Sequence, residues 1–227
     1  MGHREKHRGS SLLGVARIRA HPSASPEAPR AAAPATFYPA REDTFLLVPF
    51  ARVAPGSSLL EIGTGSGLLA LEAARSGARV VATDLNPWAL RHLRGRARAE
   101  GLWVTAVRTD LAAGLGRFDR ILVNPPYLPT DPATRDPDPW HNLALDGGPD
   151  GTHVTRRIVA TLPEHLAPGA SAYIVVSSLQ AATALDEIRE AWHGREGAVE
   201  IVASRPFEGE RLEVWRFALR RGPTPGR

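Results

Sequence analysis

Asn124-Pro125-Pro126-Tyr127 sets two hydrogen-bond acceptors and a flat ring within four residues, directly after an apolar run. Proline has no N–H, so Pro125 offers its carbonyl purely as an acceptor, and the adjacent prolines stiffen the loop. The Asn124 side-chain oxygen is the second acceptor. Together they can hold both hydrogens of one NH2 group while Tyr127 packs on a planar substrate. This suits a nitrogen whose lone pair is delocalised, in an amide or an exocyclic base amine. Such a nitrogen is a poor nucleophile, and what it needs is orientation toward an electrophile and electrostatic help. No strong base is required, because the product proton is acidic enough to leave to water. A flexible lysine amine does not need two acceptors. Asn124, Pro125, Pro126 and Tyr127 are the candidate catalytic residues.

Upstream, Glu61-Ile62-Gly63-Thr64-Gly65-Ser66-Gly67 lies between an apolar run and a Leu- and Ala-rich segment. Its glycines permit a tight turn and close approach of a ligand to the backbone. Asp84 ends the next apolar run and Asp110 the one after. A carboxylate at the first position can accept from two ribose hydroxyls, and one at the second from an adenine amine. A nicotinamide enzyme also carries an acid after its second strand, but it wants Gly-x-Gly-x-x-Gly, whereas this loop reads Gly-x-Gly-x-Gly. No Gly-Lys-Ser/Thr occurs, which excludes a P-loop.

These residues must be held by strands and helices in alternation. Apolar runs at Ser58–Ile62, Arg79–Thr83, Trp103–Thr109, Phe118–Val123 and Ala172–Ser177 read as strands. Helices are expected over Gly67–Ser76, over Pro87–Glu100 behind an Asn86 cap, over Gly151–Leu166 and over Ala181–His193. Pro168-Gly169 reads as the break after the third of these. Val199–Ser204 and Arg211–Arg220 follow with no helix between them, which predicts an antiparallel hairpin at the sheet edge. The whole predicts an α/β fold: a doubly wound, Rossmann-like sheet of seven strands, mostly parallel with an antiparallel edge strand, with helices on both faces. The chemistry-bearing residues all fall at carboxyl ends of strands, where such sheets bind ligands.

The chain has 227 residues, enough for one domain with a real core. It has no cysteine, which excludes disulfides, thiolate metal sites and a cysteine nucleophile. His3 and His7 have no third ligand near them, and no metal is expected. The net charge is +4, and residues 1–36 account for it with six basic and two acidic residues. The remainder is neutral and has no overall basic bias of the kind nucleic-acid binders often carry. Residues 1–36, rich in Pro, Ala and Arg, are expected to be a flexible tail, 37–220 the domain, and 221–227 a flexible C-terminus. Leu12–Ala20 is short and broken by Arg17 and Arg19, so neither a signal peptide nor a membrane span is expected, and the chain reads as cytoplasmic.

Phe37-Tyr38-Pro39-Ala40-Arg41-Glu42-Asp43-Thr44-Phe45-Leu46-Leu47, followed by the glycine loop and then Asn-Pro-Pro-Tyr, resembles the HemK family. Leu145-Asp146-Gly147-Gly148-Pro149-Asp150-Gly151 is similar to the Gly-Gly segment of that family. The form of residues 39–47 resembles the short archaeal and eukaryotic branch, which lacks the helical amino-terminal domain of the bacterial enzymes. The resemblance implies S-adenosylmethionine as cofactor and, as acceptor, the glutamine amide in the Gly-Gly-Gln motif of a peptide-chain release factor. It implies that Asp43 and Thr44 contact the cofactor. The expected cofactor wall is then Asp43, Thr44, Glu61, Gly63, Thr64, Gly65, Ser66, Gly67, Asp84, Leu85, Asp110, Leu111 and Asn124. The short branch also implies a small zinc-binding activator subunit docked on a strand edge. Asn-Pro-Pro-Tyr is shared with amino-methyltransferases of RNA and DNA, so a base amine stays open as the alternative acceptor. A binding protein that merely retains the fold would fail to bind the cofactor.

Overall fold

The computed structural model describes residues 37–131, 133 and 136–219. The tail expected over 1–36, with His3 and His7, and the C-terminal segment 221–227 lie outside the described residues. Seven strands and six helices run in the order α1 (Glu42–Ala51), β1 (Ser58–Ile62), α2 (Leu68–Arg75), β2 (Arg79–Asp84), α3 (Pro87–Ala99), β3 (Val104–Arg108), β4 (Phe118–Val123), α4 (Pro139–Leu145), α5 (His153–His165), β5 (Leu166–Ser177), α6 (Ala182–His193), β6 (Gly197–Phe207) and β7 (Glu210–Leu219). The strands form one sheet in the order β3-β2-β1-β4-β5-β7-β6.

From β3 to β5 every pairing is parallel, which requires the crossover helices between strands. The order reverses between β1 and β4, and this opens a crevice at the carboxyl ends of those strands. The hairpin expected at the edge is present. Within it β7 lies inside, antiparallel to both β5 and β6, and β6 forms the edge.

Side chains alternate across the sheet, and the two faces bury separate cores. Leu60, Ile62, Ile121, Val123, Ile174 and Val176 pack under Ile158 and Leu162 of α5 and Ile188 and Trp192 of α6. Leu59, Leu122, Tyr173 and Val175 face the other way, toward Leu47 of α1, Leu69 of α2 and Leu93 of α3. Each Leu or Ile fully buried in this way contributes about 1.5–3 kcal/mol. Truncating Leu60 or Leu122, both 0% exposed, would open a cavity in the middle of the sheet.

Two helices lie outside those expected from the sequence, and one expected break needs correction. The segment after Pro39 forms a helix, α1, although it carries Pro49 and its apolar residues show no helical stripe. The Pro- and Asp-rich segment between Tyr127 and Gly147 contains α4, where Asp138 accepts from the Trp140 N–H (2.9 Å) ahead of Pro139. This is the same cap that Asn86 makes for α3, accepting from the Trp88 N–H at 2.9 Å ahead of Pro87. Finally, Pro168-Gly169 does not separate α5 from the next strand. β5 begins at once at Leu166, paired with Phe118, and the register then jumps so that Ser171 meets Arg120. Pro168 and Gly169 sit in that bulge, where no ladder N–H is asked of the proline.

Candidate active site

The glycine loop turns from β1 into α2. Its first two N–H groups, of Gly63 and Thr64, both donate to the Thr83 carbonyl (2.9 Å each), which ties the loop to the end of β2. Glu61 is buried beneath it. One of its oxygens accepts from the Thr64 hydroxyl (2.6 Å) and from the Ala70 N–H (3.0 Å) at the start of α2. Burial pushes the Glu61 carboxyl up to about 8, against the opposing pull of those two donors. Gly67 departs from expectation. It does not line the cavity; it precedes α2 at φ 77°, and a Cβ there would stand 2.8 Å from Leu93 Cδ1. Its role is helix-to-helix packing.

The loop forms one wall of a cavity of about 780 Å³ at the strand ends. Gly63, Thr64, Gly65 and Ser66 line it, with Asp84, Leu85, Asp110, Leu111, Asn124 and Tyr127 from the neighbouring strand ends. The Asp84 carboxylate is held by the Gly65 N–H (3.0 Å) on one oxygen and the Asn86 N–H (2.8 Å) on the other. Burial raises its pKa, and the loop N–H groups oppose that. Asp110 stands further out, half-exposed, with one oxygen paired to Arg157 of α5 at 2.6 Å. Leu111 adopts φ 51°, and its carbonyl accepts from the Thr83 hydroxyl (2.8 Å).

A nucleoside fits this wall. At Gly63 nothing lies within 4 Å of the position a Cβ would take, which leaves room for a ligand against the backbone. Asp84, a carboxylate pinned by two backbone N–H groups, lines the same cavity, and the leucines beside Asp84 and Asp110 offer apolar cover for a flat ring. Among the described residues no group of three His, Asp or Glu is arranged to hold a metal ion.

The Asn124–Tyr127 segment follows β4, the strand paired beside β1. Asn124 Nδ2 donates to Thr44 Oγ1 (3.2 Å), while Asn124 Oδ1 is buried with no partner. Asp43 is buried and connects the segment to α1. One of its oxygens accepts from both Tyr38 (2.9 Å) and Tyr127 (3.2 Å), and the other from the Thr44 N–H (2.6 Å) and hydroxyl (3.2 Å). Burial, and then the Asp43 charge, raise the pKa of both tyrosines. Both therefore stay protonated and donate.

The Gly147–Gly151 segment braces this loop from behind. The Leu128 N–H donates to the Leu145 carbonyl (3.2 Å), and the Gly147 N–H returns a bond to the Leu128 carbonyl (2.9 Å). Gly151 has φ +74°, and a Cβ there would lie 2.5 Å from the Tyr127 carbonyl oxygen. No larger residue can hold the loop in this place.

Sequence reasoning missed several lining residues. Tyr38 belongs to the segment ahead of α1, Trp140 and Leu143 to α4, and Arg157 to α5; Glu208 comes from the β6–β7 turn and Glu210 from the start of β7. The Asp-Pro-Trp cap of α4 was a usable signal for Trp140. Nothing local marked Arg157 or Glu210, which reach the cavity through tertiary packing.

The family described as the methyltransferase small domain matches residues 41–136. A relative from Methanocaldococcus jannaschii, named as a protein N5-glutamine methyltransferase, is 36% identical over 148 residues, covering 64% of this chain and 74% of that protein. The release factor glutamine methyltransferase of Deinococcus radiodurans is 45% identical over 139 residues, covering 59% of this chain and 50% of its own length. The chain thus spans about half the length of this bacterial relative. Among solved structures, the E. cuniculi Mtq2–Trm112 complex, described as responsible for methylation of the eRF1 translation termination factor, aligns with a TM-score of 0.62. The identity is 25%, covering 81% of this chain and 99% of that one.

Proposed function

Because the chain belongs to the HemK-type protein-glutamine methyltransferases, we propose that it moves a methyl group from S-adenosylmethionine to a glutamine side-chain amide nitrogen in a peptide-chain release factor. The observation that carries this reading is Asn124, a residue of the cavity lining whose Oδ1 is a buried acceptor with no partner. A buried acceptor left empty costs about 1–3 kcal/mol, so the site is built for a donor that arrives from outside.

S-adenosylmethionine supplies a methyl on cationic sulfur, with a neutral thioether as leaving group. Asp84 would hold the ribose hydroxyls, with Leu85 and Leu111 against the base and Gly63–Ser66 along the chain of the cofactor. Asn124 Oδ1 and the Pro125 carbonyl take the two amide hydrogens and turn the nitrogen lone pair toward the methyl. Tyr127, tethered by Asp43, packs on the amide plane. The proton leaves to water after transfer.

Glutamine is favoured over a base amine by the charges around the acceptor end. Those acting on Tyr127 are Asp43 and Glu210, both acidic, and a phosphate backbone would be repelled there. The relatives named for glutamine methylation point the same way. We place the enzyme in the cytoplasm with its substrate. Among the described residues no strand pairs with the outer edge of β3, which suits a small activator subunit: Trp103 is 88% exposed beside it, and Trp88 and Leu85 are also exposed.

The test is transfer of labelled methyl from the cofactor, offering a release factor, its Gln→Ala variant in the Gly-Gly-Gln motif, and total RNA. Label confined to the intact release factor is expected. Label in RNA, or persisting in the Gln→Ala protein, would overturn the assignment.

A further inference from the structure

The Thr44 hydroxyl stands between two groups that make opposite demands on it. Asp43 is a buried carboxylate and can only accept; its Oδ1 takes both the Thr44 N–H (2.6 Å) and the Thr44 hydroxyl (3.2 Å). With its proton committed to Asp43, Thr44 Oγ1 has only lone pairs to offer Asn124. It accepts from Asn124 Nδ2 at 3.2 Å. Thr44 is 7% exposed and Asp43 3% exposed, so water does not compete for either bond.

An asparagine amide can be turned by half a revolution with little change in shape, exchanging its oxygen and its NH2. In this site the two orientations have opposite chemical meaning. As found, the amino group is taken up by Thr44, and Oδ1, on a residue that lines the cavity, is left as a buried acceptor with no partner. Turned over, Asn124 would set its oxygen against the lone pairs of Thr44 and present an NH2 to the cavity. That NH2 would oppose the hydrogens of an incoming amide and would hold a carbonyl oxygen in the place of the reacting nitrogen.

We propose that Thr44 is a positioning residue that fixes the polarity of the Asn124 amide, so that the site admits an NH2 donor and turns away its oxygen. Thr44, for which the resemblance implies a cofactor contact, lines the cavity, and its hydroxyl is engaged by Asp43 and Asn124. The inference rests on the reading of Asn124 as the group that orients the acceptor. It extends that reading to discrimination between the two ends of a primary amide, which differ little in size.

The test uses the full chain as Thr44→Val, Thr44→Ala and Thr44→Ser, with Asn124→Ala and the Thr44→Val/Asn124→Ala double variant. The first readout needs neither cofactor nor acceptor. In 15N-labelled protein, the side-chain amide signal of Asn124 is the one lost in Asn124→Ala. Its Nδ2 protons should exchange with water slowly in wild type and Thr44→Ser, and about tenfold faster or more in Thr44→Val and Thr44→Ala. The second readout is transfer to the release factor. Thr44→Val should lower kcat about 10–100-fold with cofactor Kd within about twofold, Thr44→Ser should restore it, and Thr44→Val should cost nothing further in the Asn124→Ala background. An Asn124 amide signal unmoved in both Thr44→Val and Thr44→Ala, or full multiplication of the two losses in the double variant, would overturn the role given to Thr44. Absence of transfer by the wild type would instead overturn the assigned acceptor, and the amide signal would still decide the role of Thr44.

Discussion

Tyr127 donates its hydroxyl to Asp43 Oδ2 at 3.2 Å, and with the Asn124–Thr44 bond it joins the reaction loop at the end of β4 to the helix that precedes the sheet. Tyr38 donates to the same oxygen, while Thr44 occupies the other, so Asp43 accepts four hydrogen bonds in all. An amide in its place has only one oxygen. Asp43→Asn should therefore break at least two of these bonds at a buried site, each worth about 0.5–1.5 kcal/mol or somewhat more because the acceptor is charged. A drop in melting temperature of several degrees is expected, together with a fall in kcat of about tenfold or more. Unchanged turnover in a folded Asp43→Asn protein would remove Asp43 from this account.

Gly151→Ala tests the brace behind the loop. The new methyl would meet the Tyr127 carbonyl at 2.5 Å, and alanine at φ +74° is strained in any case. Tyr127 should move, and turnover should fall about tenfold or more while cofactor binding stays within about threefold. Calorimetry beside single-turnover kinetics would separate the two; equal losses in both would mean that the brace supports the whole cavity.

Asp84 and Asp110 were read from the sequence as acids at successive strand ends, one for ribose hydroxyls and one for an adenine amine, and their settings differ. Asp84 is fixed by two backbone N–H groups, whereas Asp110 is half-exposed and shares its charge with Arg157. Asp84→Ala should weaken cofactor binding by more than about tenfold, since hydrogen bonds to a charged acceptor are worth about 1.5–3 kcal/mol. Asp110→Ala should cost less than about tenfold, in keeping with the small worth of exposed charges. Titration calorimetry on the two variants would check the order, and a larger loss at Asp110 would reverse it.

The raised pKa of Glu61 gives stability a definite pH dependence. The folded protein keeps the Glu61 proton up to about pH 8, whereas the unfolded chain releases it near 4.5. Between those values the folded state binds more protons, so stability falls as pH rises, by at most about 1.4 kcal/mol per pH unit for this one group. His92, whose pKa is lowered by burial, works in the opposite direction over part of the same range. The comparison with Glu61→Gln cancels that contribution. Urea unfolding from pH 5 to 8 should show wild type losing stability relative to Glu61→Gln, and parallel curves would mean that Glu61 is ionised throughout.

Much of this was legible beforehand because the strand ends carry both signals at once. Ser58–Ile62, Arg79–Asp84 and Phe118–Val123 are apolar runs that stop at a residue with a task, so fold and site reinforce each other. What was hidden depended on distance along the chain. No local pattern announces that Asp43 will meet Tyr127, or that Arg157 will meet Asp110, because those bonds exist only after the helices are packed. Gly67 was misread for a related reason. It belongs to the loop motif by spacing, yet its missing side chain makes room for Leu93 rather than for a ligand. The bulge at Pro168-Gly169 was read as a break because proline and glycine mark both, and only strand pairing tells them apart.

The bonds that close the reaction site span long stretches of chain: 80 residues separate Thr44 from Asn124, and 84 separate Asp43 from Tyr127. Loops of that length are costly to close before other contacts have brought their ends together. During synthesis α1 emerges long before the segment it must grip, and it has to wait for β4. Folding and the onset of catalytic competence are thus separate events in time, and the polar latch between α1 and the reaction loop should be among the last native contacts to form.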